Sequence, residues 1–375
     1  MKIVLFYHSV ISDWNHGNAH FLRGIATELL RRGHNVIILE PADGWSLSNL
    51  VAERGVQVFR DFEGSFPQLI PFFYNPDRPE LDHHLLGADL VIVHEWNEHP
   101  VVELLGIKKK KFGYRLFFHD THHRAVSDPA AMMRYDLSCY DGVLAYGDVI
   151  RDMYLRKGWA RKAWTWHEAA DGAVFYPRPA REKEGDLVWV GNWGDDERAE
   201  MLDEFLIKPV RDLGLSASVY GVRYPQEAIL KLEEAGIRYK GYLPSVEVPH
   251  VFSRYRFTVH VPRRPYVSEL PGIPTIRPFE AMACGIPLLS APWGKADTVF
   301  TPGEDFLMAR DGEEMKKYMH QLLRFEAMGE RLRKSAYSTI RSRHLCAHRV
   351  DQLFSILNRP EKESCPVTYL NSSYT

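Results

Sequence analysis

Polar and aromatic side chains gather directly behind the apolar runs of this sequence. His8, Asp13, His16 and Asn18 follow Lys2–Tyr7; His94, Glu95, Trp96 and Asn97 follow Leu90–Val93. His119, Asp120, His122, His123 and Arg124 follow Arg115–Phe118. In the second half, Gly191, Asn192, Trp193 and Arg198 follow Leu187–Val190, and His260, Arg263 and Arg264 flank Val261. Guanidinium groups meet phosphate oxygens bidentately, and a glycine lets backbone N–H groups come close, so the second-half set suits a diphosphate. In the first half Asp120 is placed to steer the His119 tautomer or to take a proton from a hydroxyl. Taken one at a time, each such histidine reads first as a satisfied polar residue at a strand end, and Arg198 first as a surface arginine; their concentration behind the strands is what points to a site. The run His119–His123 could also hold zinc or iron, although adjacent histidines on an extended segment point to opposite sides.

These clusters need a scaffold that brings them together. Lys2–Tyr7 reads as a strand buried on both faces. A helix follows, with Phe21, Leu22, Ile25, Ala26, Leu29 and Leu30 as its stripe and Gly33 as its stop, and then a strand at Val36–Leu39. The alternation continues through strands at Val56–Phe59, Leu90–Val93, Arg115–Phe118 and Gly142–Ala145, with Phe62–Pro79 as a loop excursion. The second half repeats it at Leu187–Val190, Ala217–Tyr220, Arg238–Tyr242, Phe257–Val261, Leu288–Ser290 and Phe306–Ala309. A helix covers Arg331 to Asn358, with Val350, Leu353, Phe354 and Leu357 on one face. The expected class is α/β, with two doubly wound parallel sheets. Ligands bind such sheets beyond the carboxyl ends of the strands, where the polar clusters lie.

The stretch Arg277–Trp293, RPFEAMACGIPLLSAPW, reads as a helix and a buried strand. Pro278 suits the first helical position, Gly285 ends the helix and Pro287 prevents its resumption. Glu280, expected in the first turn, either accepts first-turn N–H bonds or accepts from the hydroxyls of a ligand.

RPFEAMACGIPLL resembles the donor-site signature of glycosyltransferases with two facing Rossmann-like domains, the GT-B group. VGNWGDDER resembles the corresponding loop of the branch that includes the spore maturation protein CgeB, in which an Arg shortly before the Glu is also typical, as Arg277 is here. AADGAVFYPRP resembles the segment that joins the two GT-B domains, through Asp171, Phe175 and Pro177. The resemblance implies a transfer from a UDP- or GDP-sugar to an acceptor hydroxyl, with retention of configuration and no metal or other cofactor. It implies a donor site of Gly191, Asn192, Trp193, Arg198, His260, Arg263, Arg277 and Glu280, with Glu280 on the ribose. His119, Asp120, Arg198 and Arg277 would be catalytic, His119 standing where many relatives carry a His near the donor sugar. Asp13, His16, Asn18, His94, Glu95 and His122 would face the acceptor, a carbohydrate, lipid or small molecule. Two family positions differ. The Lys expected five residues after Arg198 is Asp203, so Arg263, Arg264 or Arg277 would replace it. The Glu expected eight residues before Glu280 is Gly272, with Glu269 three residues further back.

At 375 residues, two domains are expected: 1–180, and 181–345 with the boundary near Arg181. A segment 346–375 would cross back to the first domain and end in a frayed tail. A net charge of −2 gives no footprint for a nucleic acid, and the basic run Lys108–Lys111 reads as a solvated helix end or loop. The four cysteines form no CxxC pair, which fits a reducing, cytoplasmic setting. The N-terminus reads as a first strand rather than a signal peptide, and no run has the apolar length of a membrane span, leaving only peripheral membrane contact. Trp45, Trp96 and the Tyr74 region either stack on an acceptor sugar or pack. The other readings of the same residues are a nucleotide-sugar epimerase or hydrolase, a sugar- or surface-binding protein, and a metal hydrolase.

Overall fold

The computed structural model describes residues 1–179, 182–194 and 198–358. The expected boundary at Arg181 lies outside them. Two parallel sheets form the frame. The first holds β1 (Lys2–Phe6), β2 (Asn35–Pro41), β3 (Pro71–Tyr74), β4 (Leu90–His94), β5 (Arg115–Asp120), β6 (Gly142–Ala145) and β7 (Ala163–Thr165). Its order is β3-β2-β1-β4-β5-β6-β7. The second holds β8 (Gly185–Val190), β9 (Ala217–Tyr220), β10 (Ile237–Tyr239), β11 (Tyr255–His260), β12 (Leu288–Ser290) and β13 (Leu307–Met308), in the order β10-β9-β8-β11-β12-β13. Both orders reverse at a central strand, as doubly wound sheets do. Central strands such as β4 are buried along their whole length, which is why their sequences are unbroken apolar runs.

Register aligns chemistry as well as backbone. β4 pairs with β5 so that His94 stands level with His119, and β11 pairs with β12 so that His260 stands level with Ser290. The helix Ala19–Arg31 buries Phe21, Leu22, Ile25 and Leu29 against the first sheet. The helix Cys346–Leu357 packs on it, with Val350, Leu353 and Ile356 in the shared core. Arg349 locks this return. Nine-tenths of its surface and more is covered, and it donates to the His167 carbonyl at 2.8 Å and to His344 Nδ1 at 2.8 Å. Among the described residues no helix is long and apolar enough to cross a membrane.

Four sequence expectations are corrected. Val56–Phe59 is no strand: a helix spans Gln57–Ser65, with Val58 and Phe62 one turn apart on its buried side. The expected loop 62–79 contains β3, an edge strand that begins with Pro71, where a missing N–H costs nothing. β7 was not anticipated, because three half-buried residues at an edge carry almost no pattern. The final helix is two, Glu326–Arg343 and Cys346–Leu357, broken where Leu345 turns extended and Ala170 bridges to it.

Candidate active site

A cleft of about 470 Å³ opens between the carboxyl ends of the two sheets. Its walls differ in kind. The first-domain wall is His8, Asn15, His16, Gly17, Asn18, Trp45, Trp96, Thr121, His122 and His123. None of these is an Asp, Glu, Lys or Arg, and burial pushes His8 down to about 4 and His122 well below the ordinary imidazole value, with Arg124 adding to both. The second-domain wall carries Arg198, Arg223, Arg263 and Arg277, and among the described lining residues there is no carboxylate.

The loop behind β1 is built on Glu40 at the end of β2. That carboxylate is fully buried, accepts from Ser9 Oγ at 2.6 Å and from the Val10 N–H at 2.9 Å, and is pushed up to about 7 by burial. Asn15 sits at φ +48°, in the left-handed region that asparagine tolerates. Asn192 donates from Nδ2 to Asn15 Oδ1 at 2.5 Å and accepts from the Val222 N–H at 2.9 Å, so the first-domain loop is joined to the loops behind β8 and β9. On the same wall Asn18 donates to Thr121 Oγ1 at 2.6 Å, and that hydroxyl lies 2.9 Å from His94 Nε2.

The opposite wall concentrates positive charge. Arg198 caps the helix Ala199–Leu202 and donates to the Asn192 carbonyl at 3.0 Å. Burial, then Arg263 and Arg277, push its guanidinium down to about 9. His260, 3.0 Å from Ser290 Oγ, is pushed down to about 3 by burial and then by Arg198 and Arg277. Cations that repel one another at one spot call for an anion there. A Cβ on Gly191 would come within 2.7 Å of the Trp189 ring, so only glycine fits where the chain passes this floor.

Arg277 and Glu280 lie on the helix Ile276–Cys284 and form an ion pair. The other Glu280 oxygen is 2.6 Å from Nδ1 of His20 in the first domain. The helix starts at Ile276 rather than Pro278, so Glu280 stands in its second turn and caps no first-turn N–H. Arg198 and Arg277 thus line the inter-domain cleft, whereas Glu280, expected in the donor site, is 1% exposed and lies behind Arg277, outside the lining.

Residues 198–355 match the family model described as glycosyl transferase-like. No curated protein matches in sequence. An alpha-glucosyltransferase solved with UDP-glucose and DNA containing an abasic site superposes with a TM-score of 0.68 at 14% identity, covering 96% of this chain and 100% of that one. HepE of Anabaena, in complex with UDP and glucose, gives 0.64 at 14% identity, over 95% of this chain and 99% of that one. Sucrose-phosphate synthase of Thermosynechococcus elongatus gives 0.65 at 15% identity, over 95% and 99%. The chain has the GT-B fold.

Within this GT-B cleft, sequence reading and structure part company at several residues. His16, Asn18, His122, Gly191, Asn192, Arg198, His260, Arg263 and Arg277 line it as expected. Asp13 does not: it binds Arg23 at 3.0 Å, the Ser245 N–H at 2.9 Å and the Tyr242 hydroxyl, tying the domains together. Trp193 is packed in the second-domain core, 5.8 Å from the Tyr224 ring. His94, Glu95, His119 and Asp120 lie beneath the wall, each 1% exposed or less. Glu95 is paired with Arg124, and burial pushes it up to about 8. Asp120 accepts from Tyr154 Oη at 2.8 Å and is pushed up to about 6 by burial. His119 packs against Trp166 at 4.8 Å between ring centres, and burial pushes it down to about 3.

His122 and His123 do not point apart but stack at 4.0 Å, because the chain turns there. Among the described residues no three His, Cys, Asp or Glu side chains are arranged to hold a metal ion. Asp203 pairs with Lys208 at 2.7 Å, away from the cleft, and Glu269 and Gly272 do not line it. Arg223, Asn15, Trp189, Tyr266 and Thr275 were missed. Arg223 follows β9 at its carboxyl end, and the strand-end rule applied there would have found it.

Proposed function

We propose that this chain is a glycosyltransferase that moves a sugar from a nucleotide-diphosphate sugar to an acceptor hydroxyl, with retention and without a metal. The single observation that carries the proposal is the asymmetry of the cleft: four arginines on one wall, and no Asp, Glu, Lys or Arg among the described lining residues of the wall opposite. The glycosyl transferase-like match over residues 198–355 and the GT-B fold support it. The wording of VGNWGDDER and the Arg277–Glu280 spacing support the finer assignment to the CgeB-like branch.

Arg198, Arg263 and Arg277 would hold the diphosphate, the fixed positive charge taking the place of a divalent cation. In the reaction the acceptor oxygen bonds to the anomeric carbon as the bond from that carbon to the β-phosphate oxygen breaks. The acceptor proton passes to the departing phosphate, and the arginines stabilise the charge that builds there. Each well-placed donor of this kind is worth about 3 kcal/mol. With no carboxylate among the described lining residues, a leaving phosphate that takes the proton from the same face is the reading that favours retention. His119 and Asp120, buried behind the wall, would act by positioning Thr121 and His122 rather than by touching substrate. Glu280 would exchange its His20 contact for ribose hydroxyls. The base is uracil or guanine, uracil being favoured by the fold relatives solved with UDP or UDP-glucose. A cytoplasmic enzyme in peripheral contact with a membrane or with none fits this donor.

The test is a thermal-shift panel of UDP, GDP and their sugars, followed by product analysis. A tight ligand raises the melting temperature by mass action. Nucleoside diphosphate released only when an acceptor is present, with the sugar transferred, is the expected result. Release to water alone would make the chain a hydrolase, interconversion of the sugar an epimerase, and the lack of any shift a protein of another kind.

A further inference from the structure

We infer that the acceptor is a carbohydrate, and that Trp96 and Trp45 are the two platforms on which its rings lie. The inference rests on the glycosyltransferase reading above and names the substrate class of its second site.

Trp96 is 38% exposed and Trp45 49% exposed, and both line the cleft on the first-domain side. By contrast Trp14, Trp166, Trp189, Trp193 and Trp293 are each 9% exposed or less. Leaving two large indoles in water is unfavourable unless something covers them. Both are also fixed. The Arg124 guanidinium, tied to Glu95, lies 4.3 Å from the Trp96 ring centre. Trp45 meets the edge of Trp14 at 5.2 Å, and Trp14 is itself anchored by donating from Nε1 to Glu53 at 2.6 Å. A stacking surface held in place before binding loses little entropy when the ligand arrives.

The groups between the platforms select among ligands. A cationic acceptor would ask this wall for a carboxylate, and among the described lining residues there is none; guanidinium groups instead flank both platforms, Arg124 beside Trp96 and Arg223 at 6.0 Å from the Trp45 ring centre. An alkyl chain would ask for a continuous apolar surface, but here Asn15, Asn18, Thr121 and His122 interrupt it. What remains is a ligand with apolar C–H faces and many hydroxyls. Sugar rings have both: their C–H edges rest on the electron-rich indole face, and their hydroxyls exchange hydrogen bonds with amide, hydroxyl and neutral imidazole groups.

The experiment is binding of the full chain, with UDP present, to an array of microbial and plant glycans. Saturation-transfer NMR on any glycan retained then gives its affinity. Retention of at least one glycan is expected, with affinity reduced about tenfold or more in Trp96→Ala and in Trp45→Ala, and largely kept in Trp96→Phe. The UDP-induced melting shift should stay at its wild-type value in all three, which also reports that they fold. The inference is overturned if no glycan is retained while that shift is intact, or if both alanine variants bind as the wild type does. A wild type that shows no nucleotide shift overturns the donor reading instead.

Discussion

The Glu280 carboxylate, on the second-domain helix, lies 2.6 Å from His20 Nδ1 on the first-domain helix, while Arg277 holds its other oxygen. One side chain thus connects the cation wall to the opposing domain. Glu280→Gln keeps the shape and removes the charge that orients Arg277. A hydrogen bond to a charged group is worth about 1.5–3 kcal/mol, so nucleotide affinity should fall roughly tenfold or more. A UDP-induced melting shift that survives intact in Glu280→Ala would refute the ribose assignment.

Arg198 opposes stability in the empty protein, since burial and its arginine neighbours work against its charge. Arg198→Met should therefore leave the unliganded protein as stable as the wild type, or more stable by about 1 kcal/mol. Turnover should fall by about 10²–10³. Melting curves with and without UDP, beside kcat, separate the two effects; a variant that melts several degrees lower while keeping its turnover contradicts both.

Asp13 should behave as a structural tie. Burial raises its carboxyl, but Arg23, the Tyr242 hydroxyl and Ser245 outweigh that and hold it below the ordinary value. Asp13→Ala leaves the buried Arg23 without its carboxylate, holding only the Val10 and Ile11 carbonyls and Ser245 Oγ, at a cost of about 3–5 kcal/mol in urea unfolding. Asp13→Ala combined with Arg23→Met should recover most of the loss. If Asp13→Ala instead raises an acceptor KM at unchanged stability, the residue belongs to the acceptor site after all.

His260 gives a signed dependence on pH. Burial, then Arg198 and Arg277, push its imidazole down from the ordinary 6.5 to about 3 in the folded protein. Below 6.5 the unfolded chain binds a proton that the folded chain refuses. The contribution is therefore complete above 6.5 and is lost as pH falls toward 3, at about 1.4 kcal/mol per pH unit. Between pH 6 and 4, His260→Asn should lose stability less steeply than the wild type by about that slope, as followed by denaturant unfolding at each pH.

Unbroken apolar runs were legible because a strand covered on both sides has no freedom in composition, and β1, β4 and β8 were found on that ground. The helix Gln57–Ser65 was not, since Val56, Val58 and Phe59 satisfy a short alternating pattern as well as a helical one. The polar residues behind the strands located the cleft, but position along a strand cannot tell wall from foundation. His122 faces the gap while His119, three residues earlier on the same run, lies under it against Trp166. Trp193 and Trp96 both follow strands; only the packing of the surrounding loops decides that one fills a core and the other meets solvent.

Ala170 and Leu345 run side by side, with the Ala170 N–H donating to His344 O at 3.0 Å and the Cys346 N–H to Ala170 O at 2.9 Å. The polypeptide thus leaves its first domain and re-enters it through one doorway. Both threads are pinned there, and across the rest of the gap Asp13, Asn15 and His20 hold the second domain at separate points.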